Sequence, residues 1–166
     1  MLLIFGGLPG TGKTTIARAL AGQIGAMHLR IDSIEQVIRS WARNAVSLDD
    51  VGYRVAYAIA EENLKIGISV LADSVNPIYI TRDTWRKVGQ RAQTKLYEVE
   101  IACSDFAEHR RRVEGRSADI SGLELPSWQD VVSRHYETWN SEHLVIETAG
   151  KSVKESVEIL RKLIGR

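Results

Sequence analysis

Gly7-Leu8-Pro9-Gly10-Thr11-Gly12-Lys13-Thr14 satisfies every specified position of the pattern G-x-x-x-x-G-K-[ST]. Glycines at that spacing let the backbone turn tightly and aim successive N–H groups at one point, and a helix starting at the lysine adds the positive end of its dipole. The product is a cradle for phosphates. Lys13 extends it to the β- and γ-oxygens of a nucleoside triphosphate, the Thr14 hydroxyl ligates Mg²⁺, and Thr15 donates to the α-phosphate. These residues call for ATP and Mg²⁺, and the chain has no N-K-x-D stretch that would select guanine.

Two aspartates stand at the ends of apolar stretches. Asp32 follows Ala26–Ile31 and Asp73 follows Ile68–Ala72, and in open α/β sheets ligands gather beyond the carboxyl ends of strands. Asp32 is either a general base that takes or orients the proton of an attacking hydroxyl, or a cap for the next helix. Asp73 either holds Mg²⁺ through water, in the crevice shared with the substrate, or organises its own loop. The stretch Glu108-His109-Arg110-Arg111-Arg112-Val113-Glu114-Gly115-Arg116 is locally basic. On one helix Arg112 and Arg116 share a face and would bring two guanidinium groups to a transferring phosphoryl. The alternative is a solvated face paired with Glu108 and Glu114. The flexible run 117–126 that follows suits a closing lid, spanning roughly 110–127, and favours the first reading. Arg39, two helical turns past Asp32, and Arg82, after Asp73-Ser74-Val75-Asn76-Pro77, either hold an acidic part of the substrate or form surface ion pairs; Arg134 is a further candidate.

The elements that must position these groups alternate. Leu2–Phe5 reads as a buried strand, and Ile16, Ala17, Leu20 and Ile24 then follow helical spacing up to Gly25. A strand over 26–31 leads to a helix capped by Ser33, with Ile34, Val37, Ile38 and Trp41 on its apolar face. Asn44–Leu48 forms a turn, and Asp49 or Asp50 begins a helix with Tyr53, Ala56, Tyr57, Ala60 and Leu64 inward, ended by Gly67. A strand over 68–72, a helix over about 80–92 and a strand over 96–102 follow. Asp105 and Glu108 have capping-box spacing, as do Ser127 with Asp130 and Ser152 with Glu155. The second box opens a helix carrying Val131, Val132, His135 and Trp139; strand 144–146 and an amphipathic helix with Val153, Val157, Leu160 and Ile164 close the chain. Five strands separated by helices imply one α/β domain over 1–166, a parallel sheet covered on both faces. Trp41, Trp85, Trp128 and Trp139 all fall at helical spacing with apolar neighbours and read as core packing.

With these landmarks in order, the chain resembles the small P-loop kinases of the AAA_33-like group, relatives of polynucleotide kinase domains, zeta toxins and chloramphenicol phosphotransferase. The matching residues are Gly7–Thr15, Ile31-Asp32, Asp73-Ser74-Val75-Asn76-Pro77 with Arg82, Cys103-Ser104-Asp105, and Arg112 with Arg116 before Trp128. The resemblance implies a P-loop three-layer sandwich with strand order 2-3-1-4-5, a catalytic Asp32, and contacts of Arg112 and Arg116 with the ATP phosphates. It also implies that the adenine rests near Thr148-Ala149-Gly150. The chain departs from the polynucleotide kinases in lacking an evident basic groove.

Bulk properties narrow the class. Lys+Arg number 22 against 21 Asp+Glu, a net charge of +1, so nothing indicates a grip on long nucleic acid. The single cysteine, Cys103, excludes an internal disulfide and reads as a buried structural thiol. The short apolar start Met1–Phe5 is no signal peptide, and no apolar run approaches a membrane span, which makes the cytoplasm the expected compartment. The four histidines show no metal-ligand spacing. The expected function is transfer of the γ-phosphoryl of ATP to a hydroxyl of a small molecule. The alternatives are a polynucleotide 5′-hydroxyl kinase, or a nucleotide-binding switch or toxin-type protein with slow ATP turnover. The oligomeric state is not written in the sequence.

Overall fold

Successive residues of the first strand point to opposite faces, and all of them are buried, so this strand must lie at the centre of a sheet with a layer on each side. The computed structural model describes residues 1–42 and 50–166. In chain order the elements are β1 (Leu2–Gly6), α1 (Lys13–Ile24), β2 (Met27–Arg30), α2 (Ile31–Ala42), α3 (Val51–Lys65), β3 (Val70–Asp73), α4 (Tyr79–Arg91), β4 (Leu96–Ala102), α5 (Phe106–Gly115), α6 (Trp128–Val132), β5 (Leu144–Glu147) and α7 (Val153–Leu163). The strands form one sheet in the order β2-β3-β1-β4-β5, every pair parallel. The order implied by the family resemblance is thus the observed one.

Leu3 and Phe5 pack with Ile16, Leu20, Ile101, Val157 and Leu160, placing α1 and α7 on one face. Leu2 and Ile4 pack with Ile31, Ala56, Ala60, Leu64, Trp85 and Val88, placing α3 and α4 on the other. Each of the Leu, Ile, Val and Phe side chains among them contributes about 1.5–3 kcal/mol by leaving water. This two-sided core holds the carboxyl ends of β1, β2 and β3 rigid, and the loops that carry the chemistry rise from those ends. No helix among the described residues is long and apolar enough to cross a membrane.

Several expectations need correction. Helix α2 starts at Ile31, directly after β2, so Asp32 lies in its first turn and Ser33 is inside the helix rather than capping it. Because α2 flanks the edge strand of the sheet, Ile31 and Ile34 reach the core while Val37 and Trp41 face water, Trp41 with 81% exposure. Trp85 is fully buried, whereas Trp128 and Trp139 are half-buried. Cys103 is half-buried as well, and burial raises its thiol pKa, consistent with an inert thiol. The strand predicted over 68–72 runs from Val70 to Asp73. The expected turn at Asn44–Leu48 and the alternative helix start at Asp49 lie outside the described residues.

The helix predicted from Ser127 through Trp139 stops at Val132. Beyond it, the carbonyls of Glu137 and Thr138 accept from Arg82 and the Glu137 N–H donates to Pro77 O, so the backbone groups a longer helix would pair are taken by α4 and the loop before it. His135 is consequently exposed rather than inward. All three capping-box spacings place helix starts where expected, with the reciprocal pair of bonds formed at Ser127–Asp130 and Ser152–Glu155.

Candidate active site

Three glycines shape the loop between β1 and α1. Gly7, Gly10 and Gly12 have φ of 126°, 86° and 98°, a region L side chains rarely enter. A Cβ on Gly7 would lie 2.2 Å from Ile101 O, and one on Gly10 2.4 Å from Val113 Cγ2, so neither position admits a side chain. Thr11 closes the turn, its N–H and its hydroxyl both donating to Leu8 O. His109 of α5 braces the loop from outside by donating its Nε2–H to Pro9 O at 2.8 Å, a tautomer required because a carbonyl can only accept. No acidic residue occupies the first turn of α1, so the positive end of its dipole is left for an anion.

Lys13 is buried at the start of α1, with its ammonium donating to Leu8 O at 2.8 Å. Burial lowers its pKa to about 8; Asp73 and Asp32 act against that, and Arg116 and Arg134 add to it. Those four groups therefore converge on the lysine. Asp73, the last residue of β3, is registered against Phe5 of β1 and is 2% exposed. Its Oδ2 accepts from His28 Nε2 at 3.0 Å. Asp32 is 47% exposed, and its Oδ2 accepts from Arg30 Nε at 3.3 Å and Nη2 at 3.2 Å. The carboxylate is thus held by Arg30 while about half of its side-chain surface stays open.

The two candidate lid arginines part company. Helix α5 ends at Gly115 and Arg116 has extended backbone, so they do not share a helical face as predicted. Arg112 is tied down: Nη1 donates to Thr148 Oγ1 and Nη2 to Thr148 O, both at 2.9 Å, and Nη2 also pairs with Glu108. Its Nη1 lies 3.9 Å from the position of a Cβ on Gly12, so the guanidinium sits at the rim of the cradle beside the 148–150 loop. The Gly150 N–H is itself held by Glu108 at 2.9 Å. Arg116 is the opposite case. Its Nε and Nη2 are buried, and no acceptor reaches them among the described residues. Burial lowers its pKa, while Asp32 and Asp119 work in the other direction.

A family model described as AAA domain matches residues 2–138. The chain belongs to that family. The chain is also similar to a probable adenylyl-sulfate kinase of Aeropyrum pernix, 26% identical over 95% of this chain and 88% of the relative. Among solved structures, the chain resembles the APS kinase CysC of Mycobacterium tuberculosis in complex with AMPPNP and APS. That match has a TM-score of 0.69 and 18% identity, covering 99% of this chain and 97% of that one. A sugar kinase from Janibacter sp. is also similar, with a TM-score of 0.71 and 16% identity over 99% of this chain and 94% of that chain.

Two predicted substrate contacts of this AAA-domain chain are directed elsewhere. Arg82 is fully buried and gives its Nη atoms to the carbonyls of Pro77, Glu137 and Thr138, with its guanidinium 4.6 Å from the Trp139 ring centre. It ties α4 to the 133–140 return through both Nη atoms, and its Nε is buried without a partner among the described residues. Arg39 is exposed and lies 3.8 Å from Glu35, one turn back on the same helix. Sequence reasoning also passed over Arg30 and Asp119. Asp119 accepts two bonds from Arg30 Nη1, at 2.9 and 2.8 Å, and pairs with Arg18 at 2.6 Å, tying the segment after α5 to the base of Asp32. The alternation in Met27-His28-Leu29-Arg30 was the available signal, since it puts His28 and Arg30 on the same side of an edge strand.

Among the described residues no cluster of three or more His, Cys, Asp or Glu could hold a metal. This fits Mg²⁺, which takes one or two protein oxygens and draws its other ligands from phosphates and water. A buried carboxylate at Asp73 beside the cradle, with Thr14 at the start of α1, is that kind of donor set.

Proposed function

We propose that this chain transfers the γ-phosphoryl group of ATP to a hydroxyl of a small molecule. It is an ATP-dependent phosphotransferase in which the P-loop N–H groups and Lys13 hold the β- and γ-phosphates. The observation that carries the reading is Arg116, half-buried with two guanidinium nitrogens that are buried and unpaired among the described residues, and within electrostatic reach of Lys13 and Asp32. A cation desolvated without a partner is costly, and a transferring phosphoryl supplies the missing anionic oxygens.

Mg²⁺, held by Thr14 and through water by Asp73, would neutralise charge on the phosphates. Asp32 accepts the proton of the attacking hydroxyl, held in place by Arg30. Arg112, anchored by Glu108 and Thr148, presents a planar cation beside the 148–150 loop, where an adenine ring has a surface to lie on. His109 keeps the cradle in shape from outside.

Incubation with Mg-ATP and a metabolite library should yield acceptor-stimulated ADP release and a phosphorylated product. Asp32→Ala should cut that rate by about 10²–10⁴-fold, the usual weight of a general base, while Mg-ATP affinity is retained. A variant with near wild-type turnover would remove Asp32 from the reaction.

A further inference from the structure

Past Asp32, α2 and α3 bring together a second group of polar side chains. Glu35 lies one turn after Asp32 on α2, at the i, i+3 spacing that stacks two side chains on one face. Its carboxylate is mostly buried, and Arg39 at 3.8 Å is its nearest basic partner, too distant for a hydrogen bond. Burial raises its pKa, and the Asp32 carboxylate adds to the rise. The room for it comes from Gly52 in the first turn of α3, where a Cβ would stand 2.4 Å from Glu35 Cγ and 2.9 Å from Oε1. Glycine in a helix costs up to about 1 kcal/mol relative to alanine, so the gap is kept against local preference.

Tyr53, one residue on, puts its hydroxyl near Ser74, the Asn76 backbone, Glu35 and Asp32. Ser74 is 6% exposed, and its Oγ has no hydrogen-bond partner among the described residues. Of the cations here, Arg30 is bonded to Asp32 and Asp119, while Arg39 is half exposed and only loosely paired with Glu35. Lys13 and Arg116 belong to the phosphate side. What remains is two carboxylates, a phenol and an unpaired hydroxyl, a set richer in acceptors for hydroxyl donors than in groups that would receive an anion.

We propose that Asp32, Glu35, Tyr53 and Ser74 form the acceptor subsite and that it takes an uncharged polyhydroxylated molecule, whose adjacent hydroxyls donate to the two carboxylates. This rests on the kinase reading. One hydroxyl gives its proton to Asp32 as its oxygen bonds to Pγ and the bond from Pγ to the β-bridging oxygen breaks, releasing ADP. A second hydroxyl donates to Glu35, and Ser74 Oγ takes part in a further hydrogen bond to the molecule. An anionic acceptor such as adenylyl sulfate would meet two carboxylates and is disfavoured.

The test measures ADP release from Mg-ATP with two acceptor sets: neutral polyols and sugars, and anions comprising adenylyl sulfate, sugar acids and sugar phosphates. A neutral acceptor should give the highest kcat/KM. Glu35→Gln should raise its KM by about tenfold to a hundredfold, the value of a hydrogen bond to a charged group, with a smaller change in kcat. Gly52→Ala, which crowds Glu35 from outside the subsite, should raise KM in the same direction. Unchanged Mg-ATP affinity shows that both variants are folded. An anion preferred tenfold over every neutral compound, or an unaltered KM in both variants, overturns the subsite while leaving the kinase reading intact. No stimulation by either set removes the kinase reading, and the subsite with it.

Discussion

Arg82 and Arg116 both withdraw guanidinium nitrogens from water and both leave Nε unpaired among the described residues, but Arg82 has acceptors for both Nη atoms while Arg116 leaves Nη2 without one. Arg82 is fully buried, bonded to three carbonyls and laid against Trp139 and Tyr136. Arg116 keeps two buried nitrogens without partners among the described residues, within the field of Asp32 and Lys13. A buried cation that is satisfied serves architecture. One left unsatisfied at the mouth of a phosphate cradle stores an unfavourable energy that an anionic ligand can release. Burial alone does not separate the two roles; the inventory of partners does.

Substitution at the two arginines should divide stability from activity. Arg82→Leu strands three carbonyls and should destabilise the fold by about 3–5 kcal/mol in urea unfolding; a variant as stable as the parent would make Arg82 dispensable to the architecture. Arg116→Met should leave stability unchanged or raised, since it removes an unpaired charge, while turnover falls by about 10²–10³-fold, as for loss of one transition-state donor. A loss of stability with turnover intact would reverse the assignment.

Lys13 tests the same idea through pH. The unfolded lysine keeps its proton to about 10.4, whereas the folded one releases it near pH 8. Between those values the unfolded state binds more protons, so stability rises with pH, on the order of 3 kcal/mol in all. Lys13→Met should lack this rise when unfolding is followed from pH 7 to 10. A bound triphosphate needs the charged ammonium, so affinity for ATP should decline above about pH 8, visible by calorimetry. Arg112→Ala carries the smallest expected effect, a rise of about tenfold in KM for ATP with kcat little changed. A large fall in kcat instead would place Arg112 on the phosphoryl with Arg116.

The cradle was legible because its requirements are local. Gly7, Gly10 and Gly12 occupy positive φ that their residue type alone permits, and the lysine and threonine follow at fixed spacing. The two-faced core was legible too, from runs such as Leu2–Phe5 that are apolar at every position. Asp32 was visible as a candidate but misplaced by one element, since no turn signal separates β2 from α2 and the strand passes straight into the helix. Arg82, Arg112 and Arg116 look alike in sequence. Glu35 was invisible there, because an acidic residue on a helix ordinarily reads as solvated and its meaning comes from Gly52 and Tyr53 on another helix.

By itself, then, the sequence determined where the backbone must bend, which segments are apolar on one face or two, and that a triphosphate-binding turn opens the chain. These are properties of residue types at short spacing. Only the tertiary structure decided which charges are answered. Arg82 meets carbonyls more than fifty positions away, Arg112 meets Thr148 across thirty-six, Arg30 meets Asp119 across eighty-nine, and Arg116 Nε and Nη2 meet no acceptor among the described residues. A side chain's role follows from the partners that the packed sheet and helices carry to it, and that information is distributed over the whole chain.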